Sequence, residues 1–180
     1  FAPWPMFARD AANSGRSDLI GAEVSTLKWA ADLGAPVTSS PAVAADGAVY
    51  IAGRDGRVWC LEPDGSVRWV HATGATIERS SPALAADGTV YVTASDGGGQ
   101  SGGETGLVAL NPDGTLKWRF ATATAPLHAP TVGPDGTVYG TRELLHPHVD
   151  EQPFTRALSG LAIPAAVDSV TIEARDSVHG

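Results

Sequence analysis

The densest group of metal-binding residue types is His146-Pro147-His148, with Asp150 and Glu151 close behind. Imidazole and carboxylate together suit zinc or a similar ion, which makes His146, His148 and Asp150 the candidate metal ligands. A proline between the two histidines and a loop setting argue instead for a surface turn, so no metal is expected. A second group, Asp96 and Glu104, lies in the glycine-rich stretch 95–105. Calcium asks for six to eight oxygen ligands, and this spacing matches no 12-residue calcium loop. No Gly-Lys-Ser/Thr follows the glycines, so they do not form a phosphate loop either. No His-Glu-x-x-His pair is present. Cys60 is the only cysteine, which excludes an intrachain disulfide, a CxxC zinc half-site and a haem-attachment motif. It is expected to be a small hydrophobe buried on a strand.

The remaining carboxylates share a setting. Asp46, Asp55, Asp64, Asp87, Asp113 and Asp135 each precede a glycine. Such dipeptides occupy tight turns, where glycine tolerates positive φ and the aspartate bonds its own backbone. Their recurrence points to turn chemistry rather than catalysis.

The elements that hold these residues repeat. Ser39-Ser40-Pro41-Ala42-Val43-Ala44-Ala45-Asp46-Gly47-Ala48-Val49-Tyr50 returns as Ser80-Ser81-Pro82-Ala83-Leu84-Ala85-Ala86-Asp87-Gly88-Thr89-Val90-Tyr91. A third copy runs from His128-Ala129-Pro130 to Asp135-Gly136-Thr137-Val138-Tyr139, so the tyrosines fall 41 and then 48 residues apart. The longer spacing contains the stretch 95–105, expected to be an exposed loop between the second and third strands. Cys60-Leu61-Glu62-Pro63-Asp64-Gly65-Ser66-Val67-Arg68-Trp69 is matched by Ala109-Leu110-Asn111-Pro112-Asp113-Gly114-Thr115-Leu116-Lys117-Trp118, and Leu27-Lys28-Trp29 ends an earlier copy. Each copy divides at its turns into four short strands, which is one propeller blade. The count is a lone fourth strand (Thr26 to Ala30), two full blades (about 40–70 and 81–120) and a half blade (about 129–141).

These motifs, with the opening Trp4-to-Ser17 segment, resemble the pyrroloquinoline-quinone-like propeller repeat family. That family holds quinone-dependent alcohol dehydrogenases and non-enzymatic envelope scaffolds of the outer-membrane assembly type. The resemblance implies an all-β fold of antiparallel four-stranded blades, about three of them, in a ring left incomplete by this chain. It also implies that Trp29, Trp69 and Trp118 dock between blades, against the first turns of the next copy. Residues 1–25 are then a lead-in, 26–141 the blades, and 142–180 a tail without assigned fold. Within the tail, Val170 to Arg175 alternates well enough for one strand, and the tail is expected to complete a blade, begin another domain or dock on a partner.

The function implied is a non-catalytic scaffold for protein–protein contact, exported to the periplasm or outside the cell as an accessory subunit of a larger assembly. Contact is expected through Asp96, Gln100, Glu104 and Phe154, and open blade faces would be covered by other subunits or by self-association. No cofactor is expected: the vicinal disulfide frequent in the quinone enzymes cannot form with one cysteine. The alternatives are a piece of a quinone-dependent oxidoreductase and a glycan-binding propeller using Trp4, Phe7, Phe120 or Phe154. A formal charge of −8, from 12 basic and 20 acidic residues, provides no basic stripe for nucleic acid or an anionic membrane. No apolar run approaches the ~20 residues of a membrane helix.

Overall fold

The computed structural model describes residues 4–10, 14–16, 26–78, 80–95, 105–121, 128–140 and 161–163. All regular elements among them are strands. The first sheet holds β1 (Ala42–Val43), β2 (Val49–Ala52), β3 (Arg57–Leu61) and β4 (Val67–Ala72), hydrogen-bonded in that order. The second repeats it with β5 (Ala83–Leu84), β6 (Val90–Ala94), β7 (Gly106–Leu110) and β8 (Leu116–Ala121). A third sheet contains β9 (Thr131–Val132), β10 (Val138–Gly140) and β11 (Leu161–Ile163), in the order β11-β10-β9. Every pairing is antiparallel. The all-β blade architecture expected from the repeat is therefore present, and no closed ring forms among the described residues.

Turn chemistry fixes where each strand reverses. Asp46 Oδ1 accepts the N–H of Ala48, and Asp64, Asp87, Asp113 and Asp135 do the same for the residue two positions on. Beyond the turns, strand register repeats from sheet to sheet. Tyr50 pairs with Ala42 and Cys60; Tyr91 pairs with Ala83 and Ala109; Tyr139 pairs with Thr131 and Ala162. Residues 161–163 thus take the third-strand position of the last sheet, although their sequence carries none of the repeat.

Strand alternation gives each blade two apolar faces, and stacking one face on the next makes the core. Ala42, Tyr50, Ala52, Val58 and Cys60 of the first blade pack on Leu84, Val90, Val92, Val108 and Leu110 of the second. Ala83, Tyr91, Leu107 and Ala109 of the second blade then meet Val132 and Val138 of the third sheet.

Two details differ from the sequence reading. The fourth strands run past their tryptophans, to Ala72 and Ala121. Thr26 to Ala30 forms no strand, because no neighbouring strand is hydrogen-bonded to it among the described residues. Val170 to Arg175 lies outside the described residues.

Candidate functional site

The tryptophans that end the repeats occupy a shared kind of site. Trp69 Nε1 donates to the carbonyl of Pro112 at 2.9 Å, and Trp29 Nε1 donates to that of Pro63 at 2.9 Å. Both bonds reach forward to the Pro-Asp-Gly turn between the third and fourth strands of the following blade. This corrects the expectation of docking against the first turns. The receiving turn has a glycine for a physical reason. Gly114 has φ of 83°, and a Cβ there would stand 2.5 Å from Trp69 Cδ2; Gly65 stands in the same relation to Trp29, at 2.7 Å. The indole lies where a side chain would be. Two of the three rings also have a partner at home: Trp69 meets Tyr50 edge-on at 5.8 Å, and Trp118 meets Tyr91 at 5.7 Å.

Charges at the turn end of each blade are paired within it. Arg68 on β4 bonds Glu62 through Nε at 2.7 Å and Asp46 through Nη1 at 2.9 Å. Lys117, its counterpart on β8, reaches Asp87 at 3.0 Å and Thr89 Oγ1 at 2.8 Å. The Ala48 amide and the Arg68 guanidinium hold Asp46 below the usual carboxylate range. Burial pushes Asp87 the other way, but the Thr89 amide and hydroxyl with the Lys117 ammonium outweigh it, and its pKa is lowered too. These carboxylates are ionised hydrogen-bond acceptors already in use, a poor state for a general acid or base.

The serine pairs before Pro41 and Pro82 have two tasks. Ser39 Oγ donates to the Ala52 carbonyl and accepts the Ala52 amide, at 2.9 and 3.0 Å. Ser80 Oγ accepts the Thr93 amide at 2.8 Å. The second serine works between blades, where Ser81 Oγ accepts the Ser40 amide at 2.9 Å. Cys60 is fully buried among apolar neighbours, and burial pushes its thiol upward.

One face differs from its counterparts. Tyr50 and Tyr91 are 4% and 1% exposed, each covered by the next blade, while Tyr139 at the same register position is 43% exposed.

The other candidate residues divide simply. Asp96, Gln100, Glu104, Phe154, His146, His148 and Asp150 lie outside the described residues. Among the described residues no three His, Cys, Asp or Glu side chains gather into a metal-binding group. No helix long and apolar enough to cross a membrane occurs among the described residues.

Repeat register, tryptophan docking and blade stacking agree with a comparison of families. The family described as outer membrane protein assembly factor BamB matches residues 18–145. The chain belongs to this family. Among solved structures, BamB from Moraxella catarrhalis superposes with a TM-score of 0.51 at 20% identity, over 64% of this chain and 33% of that one. At that identity the likeness speaks for the BamB fold alone, and the chain spans about a third of that relative's length. A protein of unknown function from Bacteroides caccae aligns at 14% identity and a TM-score of 0.44, over 63% of this chain and 42% of that one. No curated protein matches.

Proposed function

We propose that this chain is a non-catalytic propeller-repeat scaffold that mediates protein–protein contact in an envelope or extracellular assembly, as an accessory subunit exported from the cytoplasm. The observation that carries this reading is membership of a family described as an outer membrane protein assembly factor, matched over residues 18–145. That description supports the envelope setting as well. Among the described residues Tyr139, at the register position that two other blades bury against a neighbour, is 43% exposed. The turn aspartates add support, since those bonded to amides and cations in the blades are committed to structure.

In this proposal residues 26–141 supply the blades, 1–25 the lead-in and 142–180 a docking tail. Asp96, Gln100, Glu104 and Phe154 are the proposed contact residues, chosen for their places in the inserted loop and the tail. Trp29, Trp69 and Trp118 hold the blades in register.

Native mass spectrometry on the protein isolated gently from its source, followed by cross-linking, tests the reading. Different subunits are expected to co-purify, with cross-links to the third sheet and to loop 95–105. A bound quinone mass together with calcium-dependent dye reduction would sink it in favour of an oxidoreductase.

A further inference from the structure

The lead-in takes an unusual route through the molecule. Trp4 exchanges two backbone hydrogen bonds with Val43: the Val43 amide donates to the Trp4 carbonyl at 2.7 Å, and the Trp4 amide donates back at 3.4 Å. One residue on, the Pro5 carbonyl accepts the Leu84 amide at 2.8 Å. Met6, only 5% exposed, then enters the cluster formed by Ala83, Tyr91, Val132 and Val138 between the second and third sheets. β1 and β5 are the first strands of their sheets and each stands at a sheet edge, the one the lead-in meets. Three consecutive residues of the lead-in therefore address three consecutive blades.

The residue types suit this path. β1 and β5 are two residues long, so each has few ladder bonds of its own and an edge in need of partners. Proline has no amide proton and a fixed φ, so Pro5 gives the second blade a carbonyl without adding a donor that needs satisfying. Methionine is flexible and apolar, suited to an irregular recess between two sheets.

We infer that the sheet edges at β1 and β5, with the apolar recess that receives Met6, form a strand-capture site, and that the lead-in is its intramolecular ligand. The ligand class is an extended peptide with a proline between two apolar anchors, held by main-chain bonds at two successive blades and by one buried side chain. The site is independent of the scaffold reading, because it lies at the β1 and β5 edges and not on the Tyr139 face. While the lead-in is seated, the Val43 and Leu84 amides are unavailable to any other ligand at these edges.

The test uses the full chain carrying a specific protease site within residues 17–25, cut after folding. The released lead-in is expected to stay bound in native mass spectrometry and to exchange with a labelled synthetic copy of residues 1–16. A copy with Met6→Asp is expected to compete about tenfold worse or more, since it puts a carboxylate into an apolar recess. Loss of the lead-in from a remainder that melts at the original temperature would overturn the inference. Hydrogen exchange on the uncut chain gives a second reading that does not depend on surviving the cut. Met6→Asp is expected to speed exchange of the Val43 and Leu84 amides about tenfold or more while Cys60 keeps its protection. Unchanged rates at Val43 and Leu84 would overturn the inference as well.

Discussion

Trp69 fixes the energy scale for single residues. Its ring fills the space above Gly114, meets Tyr50 and donates to Pro112. Truncation to alanine removes all three contacts; because Trp69 is only partly buried, the cost is expected to fall below the ~3–5 kcal/mol of a core aromatic. Trp69→Phe retains much of the ring contact but loses the Nε1 bond, so a smaller cost of about 1 kcal/mol is expected on that account. Chemical denaturation of both variants checks the order. Cys60 makes a prediction of a different kind. Its thiol is buried on β3, and burial raises its pKa, so little thiolate exists near neutrality. Labelling by a thiol reagent at pH 7 is expected to be slow in the native protein and to accelerate with denaturant in step with unfolding. Rapid labelling of the folded chain would mean that the first blade opens on its own.

Elements depend on small polar devices at their ends. Ser39 fastens the end of β2 by bonding both backbone groups of Ala52. Ser39→Ala leaves those groups without that partner in a part-buried place, at a cost of about 1–3 kcal/mol; Ser39→Thr, which keeps the hydroxyl, is expected to recover part of it. Thermal unfolding of the two variants distinguishes the lost bond from a mere change of volume. Legibility in the sequence also varied by element. The strands of the first two blades were readable because Asp-Gly turns mark their ends and the copies agree residue by residue. β11 was not: Leu161-Ala162-Ile163 is three apolar residues between Gly160 and Pro164, with no turn or aromatic marker. Only pairing with β10 defines it, and a pairing partner is a non-local fact that no local pattern records. Thr26 to Ala30 failed in the opposite direction. Its tryptophan follows the repeat and docks as repeat tryptophans do, but a side-chain anchor does not make a strand without a ladder. The turn that receives each tryptophan was misplaced for a related reason, since spacing along one blade does not say which part of the next lies opposite.

At the scale of the molecule, the turn carboxylates act together. Asp46, Asp64, Asp113 and Asp135 are lowered chiefly by the hydrogen bonds of their turns, and Glu62 by the Arg68 guanidinium. Asp87 is lowered against its own burial. A carboxyl whose pKa is lower folded than unfolded adds stability above its unfolded pKa, and that stability is lost as pH falls through the folded value. Ordinary carboxyls titrate near pH ~4, so the melting temperature is expected to be level above about pH 5 and to fall below about pH 4. Most of these groups are well exposed, so each contributes little and the decline is gradual. The double variant Asp46→Asn, Asp87→Asn is expected to flatten it; a wild-type melting temperature unchanged at pH 3 would contradict the account.

The forward-reaching tryptophans carry a mechanical consequence. Trp29 grips the first blade and Trp69 the second, so each rivet joins the chain to the turn of the blade that follows. Such a chain, pulled from its ends, transmits tension through a series of similar clasps and not through one common seam. It should yield in steps, one blade per rupture, with a peak lost from the force trace when Trp69 is replaced.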